Sequence, residues 1–385
     1  MNEVTDSSQR AKEGNKFDFS EWGGAFGDLG TLIPFVLGYI TVGKMDPLGI
    51  LLAFGILLIG SGLFYKTPIP VQPMKAIGGA AIAQAALVTP GMIWASGIFT
   101  GLFWLIMGLT GGINLVSKWA AKPVILGVML GLGLSFMMEG IKMMQTDYVV
   151  ASAALIITLF FIKNKHIPVM FMLIVFGIIT ELIREPSLLG VLSDIQFTLR
   201  MPHFALGTIT FRDFVDGAII LAIPQIPLTL GNAVIAIVSE NNCLFPERPV
   251  SEKKIAISQG LMNLIAPVVG GIPVCHGAGG MAGHVRFGAR TGGSLIILGI
   301  LLSFIALCFS QSVLLLFRIF PPSILGTILF LTGLELSVGI KGLQGNRDDY
   351  YVLLVTAGFA MWNMGVGFFA GLILHEMIER KIIQL

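Results

Sequence analysis

The chain has 385 residues, of which 55% are hydrophobic and only 12% charged, with a formal net charge of +2. A mean hydropathy of +0.87 lies well away from soluble averages, and no basic block suggests a nucleic-acid partner. Cys243, Cys275 and Cys308 form an odd, scattered set that implies neither a disulfide framework nor a zinc site, so no metal or cofactor is expected.

The first sixteen residues are polar and mixed in charge, unlike a signal peptide. A spanning helix needs roughly 20 apolar residues. Apolar stretches follow at 19–42, 47–64, 68–86, 91–111, 122–142, 148–162 and 167–183. A second set occupies 213–239, 252–269, 272–285, 292–316, 322–340, 350–362 and 364–378. The two sets repeat one pattern. Gly24-Ala25 and Ile33-Pro34-x-x-Leu37-Gly38 recur as Gly217-Ala218 and Ile226-Pro227-x-x-Leu230-Gly231; Ile69-Pro70-Val71 recurs as Ile272-Pro273-Val274. Pro123-x-Ile125-Leu126-Gly127 recurs as Pro322-x-Ile324-Leu325-Gly326.

Seven spans per unit is odd, so the second unit enters from the opposite side and the repeat is inverted. Lysine and arginine placement agrees. With the N-terminus inside, 17 of the 24 fall on the cytoplasmic side, including Arg10, Lys12, Lys118, Lys163, Lys165 and Lys341; six fall outside, and Lys75 remains within the membrane. The sequence thus predicts an all-α integral membrane protein of 14 transmembrane segments in a 7+7 inverted repeat, with both termini cytoplasmic.

Two segments cannot be continuous helices. The third reads Thr67-Pro68-Ile69-Pro70-Val71-Gln72-Pro73-Met74-Lys75, and an interior proline costs about 3 kcal/mol in a helix. It is expected to enter as a short extended strand and become a half-helix from about Pro73. The tenth, Gly270-Gly271-Ile272-Pro273-Val274-Cys275-His276-Gly277-Ala278-Gly279, is expected to be extended to about Cys275 and helical afterwards. Opposed topology makes the two half-helices start near mid-membrane with their N-termini facing each other. Free amide groups and dipole ends there suit an anion, and paired breaks at matching repeat positions mark transporter sites.

Lys75 is costly at that depth unless compensated. Its repeat equivalent is Ala278, so the fold does not demand the charge. Two accounts stand side by side: a salt bridge to Asp28, or charge balance for a bound oxyanion. Asp28 is a candidate for coupling or for helix packing. Thr31, Gln225, Thr229 and Asn232 lie deep in the first and eighth spans, the eighth expected to kink at Pro224 and Pro227. His276 opens the tenth half-helix, whereas His284 reads as structural and Glu335 has no assigned role. No enzyme motif is present: His375-Glu376-Met377-Ile378-Glu379 lacks the second zinc-ligating histidine, and neither a nucleophile elbow nor a P-loop occurs.

Phe26-Gly27-Asp28-Leu29-Gly30-Thr31-Leu32-Ile33-Pro34, Pro70-Val71-Gln72-Pro73-Met74-Lys75, Pro224-Gln225-Ile226-Pro227-Leu228-Thr229-Leu230-Gly231-Asn232 and Cys275-His276-Gly277-Ala278-Gly279-Gly280-Met281-Ala282-Gly283 resemble the signature segments of the MOT1 molybdate transporters, relatives of the sulfate permeases. Arg286-Phe287-Gly288-Ala289-Arg290 resembles the motif after the tenth span. The resemblance implies a core domain (1–113 and 205–316) that moves against a gate domain (114–204 and 317–385) like an elevator. It also implies secondary active transport of molybdate, a tetrahedral oxyanion, across a cell (plasma or inner) membrane. Tungstate and sulfate share its shape and charge, and a homodimer is left open. The ending at Leu385, with no regulatory domain after the last span, favours the molybdate branch over sulfate permeases.

The candidate substrate-binding residues are Thr31, Gln72, Pro73, Met74, Lys75, Gln225, Thr229, Asn232, Cys275, His276, Gly277, Ala278 and Gly279, with Asp28 as coupling candidate. A nucleobase permease on the same fold is disfavoured, because those use carboxylates near the tenth half-helix and this stretch has none. An anion channel or a membrane scaffold is the rival from another class.

Overall fold

A computed structural model describes residues 14–41, 43–83, 87–113, 121–161, 169–187, 190, 197–202, 204–314, 321–338, 340, 343 and 346–383. The cations Arg10, Lys12, Lys118, Lys163, Lys165 and Lys341, and the domain boundaries near 114 and 317, lie outside the described residues, as does the Glu335 side chain.

The first apolar stretch forms two helices, α1 (Phe19–Ala25) and α2 (Leu29–Thr41), bent by 40° at the Gly27-Asp28 break. Next come α3 (Pro47–Tyr65), α4 (Lys75–Ala83), α5 (Pro90–Thr110), α6 (Lys122–Met144), α7 (Tyr148–Phe161) and α8 (Val169–Arg184). Proline opens α3 and α5, where its missing amide costs nothing, and Asp46 and Thr89 cap them by accepting from Leu48 and Met92. The second half starts with a bent rod in which Phe211–Ile226 and Thr229–Leu244 meet at 49°. The bend lies at Pro227, as the sequence predicts, with π-helical turns at Gly217–Ala222 and Thr229–Ala236. Its α-helical pieces are α9 (Phe211–Asp216), α10 (Ile223–Leu228) and α11 (Ile237–Leu244). Then follow α12 (Glu252–Ile265), α13 (Ala278–Arg286), α14 (Gly293–Phe309), α15 (Pro322–Val338), α16 (Arg347–Trp362) and α17 (Met364–Glu379).

Four helices among the described residues are long and apolar enough to cross a membrane, and six if each bent pair is one span. The others among the described residues are shorter than a full span. A helix of 16 residues such as α16 or α17 is about 24 Å long, less than the roughly 30 Å hydrocarbon core. Gly367 lies against Ala360 and Gly371 against Thr356, so α16 and α17 fold back on each other at Asn363.

Glycine contacts fix how the repeat units pack. Gly55 of α3 meets Gly299 of α14, and Gly62 meets Gly292. The equivalent pair, α5 against α12, meets at Gly101 and Gly260. Between α6 and α15, themselves repeat equivalents, a Cβ on Gly140 would sit 2.6 Å from the Gly326 carbonyl, and one on Gly133 2.7 Å from that of Gly333. Rising numbers on one helix meet falling numbers on the other, so each pair is antiparallel, as an inverted repeat requires. Small residues let these backbones approach where lipid supplies no hydrophobic drive between helices.

The broken segments fold as extended strands followed by short helices. β1 (Gln72–Pro73) pairs antiparallel with β2 (Val274–Cys275), Gln72 opposite Cys275 and Pro73 opposite Val274. The two half-helices start at equivalent positions, Lys75 and Ala278. Pro73 is therefore not in the first helical turn, correcting the expectation above. The Met74 amide donates to the Pro273 carbonyl at 3.0 Å, which carries the extended pairing past Pro73.

Candidate functional site

Extended backbone at this depth must find partners inside the protein. Segment nine supplies them for β2. Asn263 accepts from the Val274 amide at 2.9 Å and donates to its carbonyl at 2.7 Å; Gln259 donates to the same carbonyl and accepts from the His276 amide at 3.1 Å. On the other side, Ser61 donates to the Ile69 carbonyl at 2.6 Å and His276 Nδ1 to the Pro70 carbonyl at 2.7 Å. A carbonyl only accepts, so the His276 proton sits on Nδ1, and Nε2 accepts from the Ser258 hydroxyl at 2.8 Å. Both ring nitrogens are thereby spent on scaffolding. The geometry gives His276 a positioning part rather than the direct ligand contact expected of it. His284 Nδ1 lies 2.8 Å from the Gly24 carbonyl, tying α13 to α1.

Between the half-helices lies a buried polar cluster. Gln72 Nε2 donates to both Asp28 oxygens, at 2.7 and 2.8 Å, and lies 2.9 Å from Thr31 Oγ1. Thr31 also donates to Asp28. Asp28 accepts no salt bridge from Lys75 among the described residues, so the ion-pair account of Lys75 is not the arrangement seen. Gln72 Oε1 and Asn232 Oδ1 are buried without a hydrogen-bond partner. Both side chains crowd Gly277, where a Cβ would run into Gln72 Oε1 and lie 3.3 Å from Asn232 Nδ2. Gly277 is thus small by necessity, as are Gly27 and Gly283, whose backbones touch and hold Asp28 against α13.

The two helix starts are dressed differently. Gln225 Oε1 accepts from the Ala76 amide at 2.8 Å and the Ile77 amide at 3.3 Å, while its Nε2 donates to Thr229 at 3.0 Å. Gln225 therefore caps α4, and Thr229 orients it, instead of both facing an open cavity. Cys275 is buried with its Sγ 4.0 Å from the Pro73 carbonyl; Met74 and Ala278 are fully buried. Gly279 lies under the ring of Phe136.

Lys75 is the first residue of α4, and its ammonium is buried with no hydrogen-bond partner. The ammonium stands 4.0 Å from the centroid of the Phe136 ring and within electrostatic reach of Asp28 and Cys275. A cation at a helix N-terminus opposes the dipole. The ammonium and the start of α13 together make a positive potential that a bound anion would relieve. A cavity of about 290 Å³ reaches this point, lined by Gly30, Thr31, Pro34, Phe35, Lys75, Phe136, Glu139, Met143 and Leu329. A larger cleft of about 400 Å³ near the C-terminus is lined by three carboxylates, Asp348, Asp349 and Glu379, against one lysine, Lys381, and His375, a poor balance for a dianion. Sequence reasoning missed Phe136, Ser258, Gln259 and Asn263. The two amides carried a signal, since they sit four residues apart on one face of an apolar span; a phenylalanine in a membrane helix carries none.

A family profile described as molybdate transporter of the MFS superfamily matches residues 20–136 and 217–336, one stretch in each repeat unit. Molybdate transporter 2 of Arabidopsis thaliana is 32% identical over 95% of this chain and 88% of its own length. Molybdate transporter 1 of Chlamydomonas reinhardtii is 25% identical over 97% and 94% respectively. Among solved structures, the transmembrane domain of a cyanobacterium bicarbonate transporter matches with a TM-score of 0.60 at 16% identity, covering 93% of this chain and 99% of that one. The murine Solute Carrier 26 family member A9 anion transporter, inward-facing, matches with a TM-score of 0.65 at 11% identity, covering 97% and 70%. At such identities these two structures speak for the fold alone.

Proposed function

Because this chain belongs to the molybdate transporter family, we propose that its cargo dianion binds where the two half-helices converge, between the Lys75 ammonium and the first amides of α13. The protein is a multi-pass membrane molybdate transporter and not an enzyme. The observation that carries the site is the buried Lys75 ammonium, without a hydrogen-bond partner, at the end of a cavity and at the start of a half-helix.

Ala278 and Gly279 offer backbone N–H groups, Lys75 supplies charge, and Thr31 lines the same cavity. Gln72 and Asn232 form the wall behind them, and Gln225, Thr229, Cys275 and His276 hold that wall in shape. Asp28 is the coupling candidate, a buried carboxylate whose hydrogen-bond partners are neutral, Gln72 and Thr31, with the Lys75 charge in electrostatic reach. Fourteen alternating segments are supported by the antiparallel α3–α14, α5–α12 and α6–α15 pairs, and cytoplasmic termini by the lysine and arginine placement. The cavity runs between the core part, which carries α2 and α4, and the gate part, which carries α6 and α15. Sliding one against the other would carry the site across the membrane of the cell, an alternating-access cycle of the elevator type.

Purified protein in proteoliposomes is expected to accumulate radiolabelled molybdate saturably. Excess tungstate or sulfate competes through shared tetrahedral shape and charge, and uracil does not. Equal blocking by uracil, or no uptake, would end this reading; conductance that never saturates would make the protein a channel.

A further inference from the structure

The geometry points to Phe136 as an internal competitor of the cargo: its ring occupies the anion position in the empty site and must be displaced for binding. This inference rests on the anion site proposed above. The ring face stands 4.0 Å from Lys75 Nζ, and a Cβ added to Gly279 would lie 2.8 Å from the ring Cζ. The ring thus packs against both the ammonium and the first turn of α13, the two places assigned to hold the dianion.

An aromatic face is electron-rich and attracts a cation. It offers a dianion nothing. Lys75 can therefore satisfy its charge with the ring or with the anion, and the two states exclude each other in space. The ring is held firmly from behind. Its helix, α6, is locked to α15 by the Gly133–Gly333 contact, and a Cβ on Gly333 would press on Phe136 Cβ at 2.9 Å. Lys75 rides on α4 of the core part and Phe136 on α6 of the gate part, so sliding of one part against the other separates them. Glu139 lies three residues beyond Phe136 and lines the same cavity. Its carboxylate is paired with Lys142 at 3.1 Å, which leaves the ring as the gate-side partner of Lys75. The ring is thus a release device as well as a plug: it offers Lys75 a partner as the anion leaves.

The test measures sodium molybdate binding by calorimetry on the detergent-solubilised full chain, together with uptake kinetics in proteoliposomes. Phe136→Leu keeps bulk and removes the aromatic face. Its dissociation constant is expected to tighten about tenfold, the equivalent of a desolvated cation–π contact, while KM and the maximal uptake rate both fall. Phe136→Tyr, which keeps the ring, stays within about twofold of the parent. Damage to the fold does not tighten binding, so the direction of change separates competition from structural harm. Should the leucine variant fail to fold, Phe136→Met gives the same readout. A dissociation constant unchanged or weaker in the variant measured overturns the competitor role. If Phe136→Leu is without effect while Lys75→Ala still weakens binding, the anion site survives and only the plug falls. If Lys75→Ala is also without effect, the underlying site falls with it.

Discussion

Replacing Lys75 with alanine is expected to weaken molybdate binding on the order of a hundredfold, because truncating one partner of a desolvated charge pair costs about 2–5 kcal/mol. The fold should survive the change. Position 278, the repeat equivalent, is alanine and opens its half-helix at the matching place, so the backbone does not need lysine. Removing an ammonium that has no hydrogen-bond partner also relieves a burial cost. The combination is diagnostic: thermal unfolding in detergent equal to or above the parent, with binding lost. Lys75→Arg is expected to rescue only partly, since the broader guanidinium must share the space that Phe136 and Gly279 leave. A dissociation constant unchanged in Lys75→Ala removes this side chain from the site.

The second large effect concerns stability. Gln72 is fully buried and donates to both oxygens of Asp28, which is itself 4% exposed. Gln72→Leu keeps the size and deletes the donor, leaving Asp28 with Thr31 as its described side-chain partner. Leaving a buried charged group short of a partner costs about 3 kcal/mol, read as a lower unfolding midpoint. Replacing both partners with apolar groups of similar shape is often nearly neutral. The Gln72→Leu/Asp28→Leu double variant should therefore recover most of that loss, although transport should not return if Asp28 couples the cycle. If the double variant is as unstable as the single, or the single costs nothing, the hydrogen bonds do not hold the cluster together.

Prolines made the site legible. Pro68, Pro70 and Pro73, matched by Pro273, forbid a helix by removing donors, so the strands at Gln72–Pro73 and Val274–Cys275 were readable in outline. The start of α4 was set two residues too early, because cross-strand pairing continues beyond Pro73 and only tertiary contact decides where it stops. The kink near Pro227 was readable for the same reason. Hydropathy placed α7, α8 and α17 to within two residues at each end but missed the first turn of α16, because Asp348 and Asp349 at its capped start are polar, and an apolar run does not say where hydrogen bonding begins. Polar residues in spans were readable as a group, but their tasks were not. Gln225 caps a half-helix and His276 props a strand, roles fixed by which group stands opposite. Phe136 was invisible because its meaning arises from a lysine on another segment and the missing side chain of Gly279.

The most direct measurement is the anomalous signal of molybdenum in crystals of the molybdate-bound protein. The account predicts one strong peak between Lys75 and the Ala278-Gly279 amides, with oxygen atoms in hydrogen-bond reach of both and the Phe136 ring moved aside. A peak elsewhere, with Lys75 still resting on Phe136, would contradict it.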